Sequence, residues 1–151
     1  ATVMFIVAAA SIFGWMLTAT GVTAQIAEWV LAVTKEPWLF LLMANLLMLF
    51  VGCFLEPTAA ITILVPILLP IARQLGVDPV HFGLVMVLNL MIGLLHPPMG
   101  MVLFVLARVA KLSVERTTVA ILPWLVPLLV SLIILTYVPA VGLWLPRLMG
   151  M

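Results

Sequence analysis

The chain has 151 residues, of which 67% are hydrophobic and 7% charged; six Lys or Arg against five Asp or Glu leave a net charge of +1. A soluble domain keeps about a quarter of its residues charged to cover its surface, so the solvent of this chain is lipid. With no basic tract nothing points to nucleic acid, the single Cys53 excludes an internal disulfide, and the lack of a His/Cys cluster argues against zinc.

A spanning helix needs about 20 apolar residues, with roughly 17–25 tolerated. Thr2 to Leu17 is a marginal span, closed by Thr18-Ala19-Thr20-Gly21. It has no basic n-region and no cleavage site followed by a polar sequence, so it does not read as a signal peptide. The chain reads as part of a longer membrane protein, entered at the start of a span. Val22 to Val33 is too short to cross and carries Gln25 and Glu28. Its Ile26, Trp29, Val30 and Val33 recur at helical spacing, which predicts an amphipathic helix at the interface. Thr34-Lys35-Glu36-Pro37 is a polar loop with proline placed to start the next helix.

Trp38 to Leu55 is wholly apolar, Glu56-Pro57-Thr58 interrupts it, and Ala59 to Ala72 continues it as far as Arg73-Gln74-Leu75-Gly76. Glu56 is the only charged side chain between Pro37 and Ala72. Two structures satisfy this pattern: two full spans joined by a surface loop, or a re-entrant hairpin with Glu56 at a tip inside the membrane. In the second case the carboxylate is costly and marks a functional site. The pattern alone leaves both open.

Asp78-Pro79 predicts a helix cap followed by proline at the first helical position. The helix it opens passes Asn89 and Gly93 and meets His96-Pro97-Pro98-Met99-Gly100. Two prolines in succession remove donors and clash with the preceding turn, so they break the helix. A continuous helix from Asp78 to Arg108 would measure about 45 Å. That exceeds a bilayer core of about 30 Å, and Met101 to Ala107 is too short to span alone, so the break falls within one helix. After the loop Arg108 to Arg116, Thr117 to Val138 is the clearest single span, and Pro139 to Leu148 forms a short amphipathic end. Arg108, Lys111 and Arg116 place that loop on the cytoplasmic side and Arg147 outside.

Broken backbone at membrane depth survives only where protein buries it or a cavity receives it. Pro57 at a first helical position leaves the amides of Thr58, Ala59 and Ala60 free, at the positive end of the helix dipole. Pro97 and Pro98 leave a second such start. Two opposed half-helix starts make an anion site, and unwound carbonyls beside them suit sodium. Hard cations take carbonyl, hydroxyl and amide oxygens, which Thr58, Asn45, Asn89 and the carbonyls from Gly93 to His96 can supply. Asn45 and Asn89 suit equally well a bond across packed helices. His81 follows a helix start and is expected at the interface, and His96 is expected to bond a freed carbonyl or to take up a proton. HExxH, GxSxG and a Cys-His pairing are absent, so no catalytic residue is assigned and an enzyme is not expected.

Gly52-Cys53-Phe54-Leu55-Glu56-Pro57-Thr58-Ala59-Ala60, Pro66-Ile67-Leu68-Leu69-Pro70, Gly76-Val77-Asp78-Pro79-Val80-His81-Phe82-Gly83, then Asn89, Gly93 and Pro97-Pro98-Met99-Gly100 occur in that order. Together they resemble the large membrane (M) subunit of tripartite ATP-independent periplasmic (TRAP) transporters, over nearly the whole chain. The resemblance implies the C-terminal part of that subunit: an all-α polytopic membrane protein, half of an elevator-type transporter of the ion-transporter superfamily. It favours the hairpin tip over the surface loop at Glu56. It divides the chain into a scaffold span and interfacial arm helix (1–36), a re-entrant hairpin of the transport domain (37–76), a discontinuous helix of the transport domain (77–112), and a C-terminal span with an amphipathic end (113–151).

The activity so implied is sodium-coupled uptake of an organic anion, such as a sialic acid or a dicarboxylate. A periplasmic substrate-binding (P) protein delivers the anion, a small membrane (Q) subunit buttresses the scaffold, and the setting is the inner membrane of a bacterium or archaeon. Proton-coupled or passive transport without sodium is the alternative. The resemblance puts substrate at Pro57, Thr58, Ala59, Pro98, Met99 and Gly100, and the sodium ion at Gly52, Glu56, Thr58, Asn89, Gly93 and His96. The family often has threonine where this chain has His96. That loses a hydroxyl ligand, so the expected coordination there falls to backbone carbonyls. Glu56 is expected to shape the tip more than to carry the chemistry.

Overall fold

The computed structural model describes residues 4, 8–9, 12–13, 15–16, 19–34, 36–96 and 100–148. Among these all regular structure is helical. The described positions from 4 to 19 are helical, and the expected span Thr2 to Leu17 lies largely outside the described residues. Seven helices follow: α1 (Val22–Val33), α2 (Pro37–Phe54), α3 (Pro57–Gln74), α4 (Pro79–Gly93), α5 (Met101–Ala110), α6 (Val114–Tyr137) and α7 (Pro139–Leu148). Of the described helices α2, α3 and α6 are long and apolar enough to cross a membrane. The chain is an all-α, multi-pass membrane protein.

The helix boundaries follow from local chemistry. Proline stands at the start of α2, α3 and α4, where a missing N–H costs nothing. Asp78 caps α4, its Oδ1 accepting from the amides of Val80 (2.8 Å) and His81 (3.1 Å). At the end of α3 the Val77 amide reaches back to the Ala72 carbonyl (2.9 Å), and Gly76 takes φ +77° to allow it. Ser113 caps α6 by accepting from the Arg116 amide. The basic loop is therefore tight: Arg108 and Arg116 lie on helix ends, and 111–113 make the turn.

The core forms where α2, α3 and α4 meet, with α6 against them. Helices α2 and α4 run parallel: Phe40 stacks on Phe82 (centroids 6.0 Å apart), Asn45 meets Asn89, and Gly52 meets Gly93. Lipid removes most of the hydrophobic drive between helices, so close packing and buried hydrogen bonds must hold them. Both are present along this seam. The arm helix α1 lays Ile26 and Val30 against the core and leaves Trp29 exposed, as an amphipathic helix should. Together with Phe40, Met43, Leu47 and Leu68 these three residues line an apolar recess of about 380 Å³.

Helix α6 serves as a ruler for depth. Its Thr136 meets Asn45, and its Leu129 shares a cavity wall with Cys53 and Phe54 near the end of α2. From Leu129 it runs on to Val114, about 22 Å further at 1.5 Å per residue. The link between α2 and α3 thus stops well short of the far end of α6, a helix long and apolar enough to cross a membrane.

Candidate functional site

The link between the two long helices is two residues, Leu55-Glu56, and its geometry comes from Glu56. Its Oε2 accepts from the Ala59 amide (3.2 Å), its Oε1 accepts from the Thr58 hydroxyl (2.6 Å), and its carbonyl accepts from the Ala60 amide (3.0 Å). The sequence suggests free amides at Thr58, Ala59 and Ala60 awaiting an anion. The structure corrects this for Ala59 and Ala60, because the preceding acid caps its own helix. Thr58 keeps its oxygen lone pairs, while its hydroxyl hydrogen is spent on Glu56.

The second break follows Gly93. The Leu95 amide bonds the Ile92 carbonyl (3.0 Å) and the His96 amide bonds the Gly93 carbonyl (3.1 Å), tightening the last turn before the chain leaves the helix. Pro98 and Met99 lie outside the described residues. Gly100 rejoins them with its amide on the His96 carbonyl (3.1 Å), and α5 starts next. A Cβ at Gly100 would collide with the Leu94 carbonyl, so glycine is required there.

The fold brings the two breaks together. A Cβ on Gly93 would lie 2.8 Å from Gly52 Cα and 2.9 Å from Gly52 C, so the backbones of α2 and α4 touch at their ends. Beside this contact a cavity of about 420 Å³ is lined by Glu56, Pro57 and Thr58 from the tip, by Met91 and Leu94 from α4, and by Val102 and Val105 from α5. One wall is thus the hairpin tip and the other both sides of the broken helix.

Below the cavity lies a buried polar chain that joins three helices. The Asn89 amide donates to both Asn45 O (3.0 Å) and Asn45 Oδ1 (2.6 Å). Asn45 donates to Thr136 Oγ1 (3.0 Å), and Thr136 donates to the Leu132 carbonyl (2.7 Å). Two acceptors on Asn89 Nδ2 fix that amide's orientation, since flipping it would set oxygen against oxygen. The Asn89 oxygen is left buried without a partner among the described residues, on a residue 0% exposed. An unpaired buried oxygen is expensive unless something supplies a donor or a cation. The reading of the asparagines as a bond across packed helices is seen directly, and the Asn89 oxygen has no partner among the described residues.

His81 and His96 depart from the sequence reading. His81, expected at the interface, is only 3% exposed and sets Nε2 3.1 Å from the Thr136 carbonyl. His96 has a buried Nδ1 without a partner among the described residues, and it lines a cavity of about 400 Å³ with Cys53, Phe54 and Leu129 rather than the one at the tip. The role of Thr136 was not legible in the sequence: a threonine near the end of an apolar span carries no signal until α6 is placed beside α2.

The described residues thus form a helical hairpin packed on a helix that ends at Gly93 and is followed by a second from Met101, in an all-helical multi-pass membrane protein. Residues 1–141 match the family described as "Tripartite ATP-independent periplasmic transporter, DctM component", and the chain belongs to that family. It is 49% identical over 148 residues (98% of this chain, 35% of the relative) to the C4-dicarboxylate TRAP transporter large permease protein DctM of Pseudomonas aeruginosa. It is 42% identical over 148 residues (98% and 35%) to the sialic acid TRAP transporter large permease protein SiaM of Vibrio cholerae. It is 45% identical over 144 residues (95% and 23%) to the isethionate TRAP transporter permease protein DctMQ of Oleidesulfovibrio alaskensis. The chain therefore spans about a third or less of the length of these relatives.

Proposed function

We propose that this chain supplies half of the ion and substrate site of a TRAP large permease, and that the whole permease takes up an organic anion together with sodium. The observation that carries the reading is the cavity shared by the hairpin tip and the broken helix, held by the Gly52–Gly93 contact. The relatives' names specify a C4-dicarboxylate, sialic acid and isethionate, which share a negative charge and differ in size, so the class is an organic anion.

Sodium is the coupling ion in this proposal because several oxygens stand near the two breaks: the Thr58 hydroxyl, the buried Asn89 amide oxygen and the carbonyls of Gly52, Gly93 and His96. Glu56, committed to capping, adds negative charge beside them. Substrate would meet Pro57, Thr58 and Ala59 together with Pro98, Met99 and Gly100, as the resemblance to the family implies. The family's description is tripartite and periplasmic, which supports a periplasmic binding protein and a small membrane subunit as partners, within the inner membrane.

The reading is tested by reconstituting the complete transporter in vesicles with its binding protein and measuring anion uptake with an imposed sodium or proton gradient. Uptake driven by sodium alone supports the proposal. Uptake driven by a proton gradient in sodium-free medium overturns it in favour of proton coupling, for which the specific observation is His96 Nδ1, buried without a partner among the described residues.

A further inference from the structure

The buried polar chain that joins α2, α4 and α6 has a direction, and Thr136 sets it. The Thr136 hydroxyl spends its hydrogen on the Leu132 carbonyl (2.7 Å), so toward Asn45 its oxygen can only accept. Asn45 therefore turns its NH₂ to α6 (3.0 Å) and its Oδ1 to α4, where the Asn89 amide donates to it (2.6 Å). The Thr136 carbonyl meets His81 Nε2 (3.1 Å), which ties α4 to the same residue. Thr136 is 1% exposed, so bulk water does not compete for these partners.

Among the described residues the only side-chain hydrogen bonds between α2 and α4 are the two from Asn89 to Asn45. A slip of one residue would move either helix about 1.5 Å along its axis and turn it by about 100°. That breaks both bonds, whereas buried apolar neighbours such as Met48 and Met86 can repack. Fixing the register of packed helices is the best-attested use of buried amides. Gly52 follows Asn45 by seven residues and Gly93 follows Asn89 by four, about 10 and 6 Å further along, where the two backbones touch. Without the Thr136 acceptor, Asn45 is free to turn its NH₂ against that of Asn89, and the register loses its lock. We propose that Thr136 is a positioning residue for the site at the hairpin tip. Acting through Asn45, it holds α2 and α4 in the register that brings Gly52 to Gly93, a role that rests on the reading of those two carbonyls as sodium ligands.

The experiment uses the complete purified transporter and titrates sodium chloride against choline chloride at constant ionic strength, following thermal unfolding. The quantity read is the sodium dissociation constant, taken from the rise of melting temperature with concentration. A merely structural role lowers the melting temperature at zero sodium and leaves that constant in place. Thr136→Val keeps the shape of the side chain and removes the acceptor. It is expected to raise the dissociation constant about threefold, the equivalent of one average hydrogen bond between membrane helices. Thr136→Ser keeps the hydroxyl and is expected to restore the wild-type value. Thr136→Ala is expected to repeat the valine result, so the test does not depend on how valine packs. A constant unchanged in Thr136→Val, or a serine variant shifted as far as the valine one, overturns the positioning role alone. No effect of sodium on the unsubstituted transporter overturns the reading of the ion site, and the positioning role with it.

Discussion

Single glycines carry much of the geometry near the proposed site, and each makes a separate prediction. Gly93→Ala sets a methyl against the backbone of Gly52, which has no side chain to move aside, and should cost about 1–3 kcal/mol. Gly100→Ala should be worse, because the obstacle is the Leu94 carbonyl within the break itself. Gly83 has nothing within 4 Å of an added Cβ, so Gly83→Ala should leave stability unchanged or slightly raised. Thermal unfolding of the complete transporter checks the order Gly100, Gly93, Gly83; an equal effect at all three would remove the steric argument. Asn45 and Asn89 make a further pair. A double-mutant cycle with leucine at each should show a coupling of about 0.6 kcal/mol, the average for hydrogen bonds between membrane helices. Additive losses would mean that the bond contributes nothing to stability.

The starts of α2, α3 and α4 were readable from sequence because their cause is local: a proline at the first position, with Asp78 as the cap of α4. The same local chemistry set the end of α4, where the double proline follows Gly93. The occupation of the α3 start by Glu56 was less legible, since an acid before a proline serves equally as a cap and as a free charge. This element-level role is testable. Glu56→Ala removes the acceptor for the Ala59 amide and should destabilise the hairpin by about 1 kcal/mol. Glu56→Gln keeps an acceptor oxygen and should retain most of that stability while removing the charge from the proposed sodium site. A Gln variant as unstable as the Ala variant would show that the charge, not the cap, holds the tip.

At the scale of the whole molecule, length and apolarity identify α2, α3 and α6 as helices able to cross a membrane. They do not distinguish two complete spans from a hairpin that turns back inside. The structure adds the placement of α6 against this pair, through the bond from Asn45 to Thr136, between residues 91 positions apart in the chain, and the hairpin remains the reading to be tested. Tertiary pairing at such separation leaves no periodic trace, and for the same reason His81 was expected at an interface and is found buried beneath α7. The apposed glycines, the cavity at the tip and the buried amides share one premise: that the tip lies within the membrane and is reached through the protein. The direct test is a cysteine at Thr58, in a Cys53→Ser background of the complete transporter, labelled by a membrane-impermeant thiol reagent from each side. The account predicts slow labelling from one side only, slowed further by sodium with substrate; rapid labelling indifferent to both would place Glu56-Pro57-Thr58 on a surface loop and contradict it.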